Sequence, residues 1–182
     1  MEQKKNTAIR LTVPILILCL GCLIRVGYEL VDTVMNTDGD GLSGIFYIIA
    51  ILSAAVYSFY GYKKNASVYY KLTAGCFALG MFLGVLPALN GETPPLEWAL
   101  GGIRLATAVL LAVLSFGKNL GKKKSFALCA AVGVFSLAFA VVYGIGYHAF
   151  IGTAAANFLL TAVLFLMIIA KYKDKKTRGK DI

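Results

Sequence analysis

The chain has 182 residues, 59% of them hydrophobic and 15% charged, with a mean hydropathy of +0.76 and a net charge of +9. Soluble domains run about 45–50% apolar and about 25% charged, so this composition excludes a water-solvated globular enzyme. The positive balance points to no nucleic-acid partner, because the lysines stand between long apolar runs rather than in a basic-aromatic module, and four cysteines make no disulfide framework.

A membrane-crossing helix needs about 20 apolar residues. In chain order the apolar runs predict six, over 11–32, 42–62, 72–90, 97–117, 125–145 and 150–170. The first has Arg25 inside it. Its basic start and apolar run have the form of a secretory signal, but no clean small-x-small cleavage site follows, so it is expected to stay in the mature protein. Leu42 to Tyr62 and Leu72 to Gly91 are free of charge, and the fourth run, Trp98 to Gly117, encloses Arg104. Ser125 to Ala170 hold no Asp, Glu, Lys or Arg over 46 residues. That length fits two spans, with the turn expected at Gly144-Ile145-Gly146-Tyr147-His148, where glycines and the single histidine coincide. The apolar residues run continuously instead of alternating, which excludes barrel strands and leaves helices to satisfy the backbone in hydrocarbon. The expected fold is therefore all-α, a polytopic membrane protein of six transmembrane helices in one domain, 1–182, followed from 171 by a basic cytoplasmic tail.

Charge sets the expected orientation. Sixteen of the 18 basic residues fall before the first span, after the second, after the fourth and after the sixth, with Lys71 read as part of the second of these groups. The other two are Arg25 and Arg104, while the opposite loops hold Asp38, Asp40 and Glu92. The positive-inside rule then places both termini in the cytoplasm and the chain in the cell membrane, with the lipid bilayer as a partner. The sequon Asn65-Ala66-Ser67 lies on the cytoplasmic side and is read as chance. Trp98 and Tyr147 suit an outer aromatic belt, and Tyr60, Tyr62, Tyr69, Tyr70 and Tyr172 an inner one.

Short similarities recur every 54 residues: Ser53-Ala54-Ala55-Val56, Thr107-Ala108-Val109-Leu110 and Thr161-Ala162-Val163-Leu164, with Gly21-Cys22 matching Gly75-Cys76. They point to three tandem helical hairpins. Gly80-x-x-x-Gly84 and Ala127-x-x-x-Ala131 are expected at helix–helix contacts, and Pro14 and Pro87 are positioned to kink their helices.

The chemistry concentrates in the outer half. At ~1.5 Å per residue, Arg25, Arg104 and Asn157 all lie about 5 Å outward of their span centres. Tyr28 and Glu29 are just above on the first span, with Tyr47 on the second and Tyr143 on the fifth. An arginine at that depth costs about 2.5–3.5 kcal/mol and must face the bundle interior or water. Its planar fork of donors suits a carboxylate or phosphate. A pocket for a small anionic or zwitterionic solute is thus expected, formed by Arg25, Tyr28, Glu29, Tyr47, Arg104 and Asn157. Plain pairing is the alternative, with Arg25 four residues from Glu29, Arg104 two turns from Glu97, and Asp32 a further acid.

Asn36-Thr37-Asp38-Gly39-Asp40-Gly41 resembles the opening of a calcium loop and the aspartate-glycine loops of calcium-binding thrombospondin-type repeats. The oxygen donors would be Asn36, Asp38 and Asp40. The twelfth position, however, is Tyr47 and not glutamate, and Asp-Gly pairs also form ordinary turns. Cys19-x-x-Cys22 reads as small apolar packing rather than a redox or metal site, and His148 as an outer-turn residue. No catalytic set is recognisable, so no enzyme activity and no cofactor are expected.

The expected function is binding or translocation of a small solute. The alternative is a non-transporting interaction, assembly or sensor subunit, with a membrane-protein partner or a second copy of the chain. In size, span number and terminus placement the chain resembles the substrate-binding S components of energy-coupling-factor vitamin transporters. Its first helix departs from them in having no Ala-x-x-x-Ala docking motif.

Overall fold

The computed structural model describes residues 13–27, 41–60, 66–86, 94–117, 120–147 and 153–178. These form six helices, with no strand among the described residues. They are α1 (Val13–Gly27), α2 (Gly41–Tyr60), α3 (Ala66–Leu83), α4 (Pro95–Phe116), α5 (Lys122–Tyr147) and α6 (Thr153–Arg178). Of these, Pro95–Phe116 and Lys122–Gly146 are long and apolar enough to cross a membrane.

Successive helices from α2 onward pack side by side, and α6 folds back against α3 and α2. On α1, Cys22 Sγ lies 3.9 Å from the Ala156 carbonyl and Gly21 faces Leu159, so α1 also lies on α6. The core draws residues from all six helices, among them Cys22, Ile51, Phe77, Leu111, Val132 and Leu164. Tyr47 bonds Asn157, and ten residues further along both helices Tyr57 bonds the Met167 carbonyl. α2 and α6 therefore run parallel, in one register.

The surface is apolar where that of a water-soluble bundle would be polar. On α1 the residues Val13, Ile17, Leu20 and Ile24 form an exposed stripe, with Ile24 68% exposed. Trp98, Leu105, Val109, Val113 and Phe116 do the same on α4, and Val134, Leu137, Val141 and Ile145 on α5. The hydroxyls turn inward instead. Ser53, Thr73, Thr107, Ser115, Ser136 and Thr161 are all buried. They join helix to helix: Ser53 shares a 2.9 Å hydrogen bond with Thr73, Ser136 shares one of 3.2 Å with Thr161, and Ser115 Oγ donates to the Lys71 carbonyl at 2.8 Å. The positions that recur every 54 residues, Ser53, Thr107 and Thr161, each bond a carbonyl about one turn back on α2, α4 and α6.

Several boundaries differ from the sequence expectation. The fifth helix does not turn at Gly144 but runs on to Tyr147. A glycine in a helix costs only about 1 kcal/mol, and Gly146 serves close packing, since a Cβ there would fall on the Leu96 side chain of α4. α3 begins at Ala66, so Lys71 belongs to a helix and not a loop, and it ends at Leu83 instead of residue 90. Pro87 accounts for the early stop: it lacks an N–H and restricts the residue before it. α6 continues to Arg178, because the lysine-rich tail is made of good helix formers and meets no breaker before Gly179. The small-residue motifs divide. Gly84 is buried against α4, whereas Ala127 is exposed, and on α5 it is Gly133 that faces Thr161 of α6.

Gly75 shows how tightly α3 and α4 approach, because a Cβ there would sit 3.0 Å from Ser115 Oγ. Gly75→Val is expected to cost about 1–3 kcal/mol through overpacking and loss of the Ser115 bond. Gly102 faces open space, so Gly102→Ala is expected to gain about 0.5–1 kcal/mol. Reversible unfolding in detergent micelles measures both.

Candidate functional site

Two polar clusters occupy the half of the bundle where α2, α4 and α6 begin. The first joins α2 to α6. Asn157, 1% exposed, accepts a 2.8 Å hydrogen bond at Oδ1 from the Tyr47 hydroxyl. The Tyr47 ring lies 5.6 Å from that of Phe77 on α3, inclined at 57°. One turn along α6, Thr161 donates to the Asn157 carbonyl and shares its hydroxyl with Ser136 of α5. A buried amide held by a hydrogen bond from a neighbouring helix ties α6 to α2 at this level.

The second cluster is built on Arg104. Its Nη1 donates to the Gly84 carbonyl at the C-terminal end of α3, and its Cζ stands 5.0 Å above the Phe139 ring of α5. Phe139 in turn stacks on Tyr143, with centroids 5.8 Å apart and planes 18° apart. α4 continues from Arg104 back to Pro95, about 13 Å at ~1.5 Å per residue, so α3 ends well short of the level at which α4 begins. The last carbonyls of a helix have no intrahelical donor and carry its negative dipole end. Arg104 supplies both a donor and a positive charge there. Gly84 makes room for it, since a Cβ at that position would stand 3.2 Å from Nη1.

The residues singled out from sequence therefore fall into separate groups. Tyr47 and Asn157 are brought together. Arg104 is anchored on α3 and α5, and among the described residues its hydrogen bond goes to a backbone carbonyl rather than to Glu97. Arg25 is half-buried on α1 with its Nε out of solvent, one turn from Cys22 and its Ala156 contact. Tyr28, Glu29, Asp32, His148 and the calcium-loop residues Asn36, Asp38 and Asp40 lie outside the described residues. Cys19 and Cys22 are buried free thiols. Sequence reasoning missed Gly84, Phe139, Ser136 and Thr161. The spacing of 54 already marked Thr161, and Gly80-x-x-x-Gly84 already marked Gly84 as a helix contact.

No known protein family, curated protein or solved structure matches the chain.

The Tyr47–Asn157 pair is open to a double-mutant cycle. Tyr47→Phe combined with Asn157→Leu is expected to give a coupling of about 0.6–1.7 kcal/mol, the range of interhelical hydrogen bonds in membranes. Unfolding of the two single variants and the double variant measures it.

Proposed function

We propose that the chain is a six-span protein of the cell membrane, with both ends on its lysine-rich side, that binds a small anionic or zwitterionic solute in the outer half of the bundle. The observation that carries the bilayer placement is the apolar surface: large aliphatic or aromatic side chains point outward on every helix, while buried hydroxyls and Asn157 point inward among an apolar core. Such extensive apolar exposure is tolerable only against lipid or a partner. The orientation rests on cations gathered at one end. Lys71 stands near the start of α3, Lys122, Lys123 and Lys124 open α5, and Lys171 lies near the end of α6 with its Nζ 4.6 Å from the Tyr70 ring of α3.

Arg104 supports the solute reading. A guanidinium has five N–H donors, and the Gly84 carbonyl engages one nitrogen. The rest of the fork suits a carboxylate or phosphate. A helix that ends at membrane depth beside a charged side chain is also how many transporters build a binding site. The same contacts favour a second reading, in which Arg104 serves as the cap of α3 and the protein acts by binding another membrane protein.

Thermal melts separate the two readings. With a carboxylate, a phosphate or a zwitterionic amino acid at 100 times its Kd, stabilisation of about 2.7 kcal/mol is expected, and Arg104→Gln should remove it. If no solute shifts the wild-type melt and Arg104→Gln only lowers it, the cap reading holds. Orientation is checked by single cysteines placed at Lys123 and Glu97 and treated with an impermeant thiol reagent. The four native cysteines are buried. Only the position-97 variant should react from outside.

A further inference from the structure

A groove of about 600 Å³ runs down the outer face of α3 and α4. Its floor is made of small residues, Gly75, Ala78, Ala108 and Ala112, between the larger Leu79 and Val109. Two polar residues line it, Lys71 and Ser115, and they share one end, where Ser115 Oγ bonds the Lys71 carbonyl. Phe116, 78% exposed, flanks that same end. The groove is thus an apolar channel with an exposed lysine standing at one end.

We propose that this groove holds one anionic phospholipid of the leaflet on the lysine-rich side, its phosphate at Lys71 and an acyl chain along the small-residue floor. The inference rests on the bilayer placement above. Three observations select this occupant. Lys71 is exposed, so its flexible side chain can carry its charge to a phosphate at the groove's end. From Val68 to Phe82 the groove extends about 21 Å at ~1.5 Å per residue, and the stretch from Lys71 onward, about 16 Å, matches the roughly 15 Å that a chain covers in half of a ~30 Å hydrocarbon core. A transmembrane helix would use the floor of small residues but would have no need of a cation at one end. The contrast lies between α5 and α6, where a smaller groove of about 330 Å³ is lined by residues such as Gly133, Phe158 and Phe165 and has no cation.

The test uses the full chain in mild detergent, offered equal amounts of phosphatidylglycerol and phosphatidylcholine, with bound lipid counted by native mass spectrometry. The wild type should retain one phosphatidylglycerol with about fivefold preference, the increment expected of one lysine near a membrane surface. Lys71→Gln should bring the preference to parity, and Lys71→Arg should keep it. Ala112→Trp, which fills the floor, should abolish retention of either lipid. Equal retention by the wild type and Lys71→Gln overturns the proposal. So does a dimer that Ala112→Trp dissociates, which would make the groove a contact between two copies. Flotation with lipid vesicles is run in parallel. A chain that fails to float removes the bilayer placement itself, whereas one that floats without selecting phosphatidylglycerol removes only the lipid site.

Discussion

A backbone amide or a hydroxyl surrounded by hydrocarbon has no water to bond, and leaving it unpaired costs several kcal/mol. Most of what this bundle does follows from that constraint. Helices satisfy the amides internally, and the hydroxyls and the Asn157 amide find partners one turn back on their own helix, as Thr107 does, or on neighbouring helices. They do so at Ser53–Thr73, Tyr47–Asn157, Tyr57–Met167, Ser136–Thr161 and Ser115–Lys71. In the bilayer proposed for it, lipid tails are as apolar as leucine, so hydrophobic burial would have little power to hold such helices together. Close backbone approach at Gly75, Gly84 and Gly146 and the polar bonds beside those approaches take its place.

Arg104 is the severest instance of the constraint. Its charge is costly away from water, and so are the open carbonyls at the end of α3. Bringing the two together relieves both, and the Phe139 face adds a cation–π contact worth about 2 kcal/mol or more when desolvated. A deeply placed arginine can therefore be accommodated without a carboxylate. Counting acids against arginines in the sequence, as the spacing of Glu97 invites, overlooks the backbone as a source of negative charge.

How much could be read in advance follows the same division. The number and order of the helices were legible, because uninterrupted apolar runs separated by cations admit little else. Tyr47 and Asn157 were placed at related depths by counting residues from the ends of their spans. Helix ends were harder to read. Gly144 and Gly146 carry the composition of a turn, yet Gly146 is where Leu96 packs, and a single sequence does not distinguish a glycine needed for curvature from one needed for proximity. Partnerships across the bundle were harder still. Nothing in the local pattern links Arg104 to Gly84, twenty residues earlier, because that contact depends on where α3 stops and how α4 is rotated. The groove between α3 and α4 was equally invisible, since Gly75, Ala78, Ala108 and Ala112 read as ordinary apolar filler until two helices set them side by side.

Tyr47 and Tyr57 stand ten residues apart on α2, and so do Asn157 and Met167 on α6. Two rivets at a common spacing lock a pair of rods against sliding, because a slip of one turn would strip both at once. α2 and α6 are therefore pinned in one register, and α3, bonded to α2 through Ser53–Thr73 and packed against both, is carried with them.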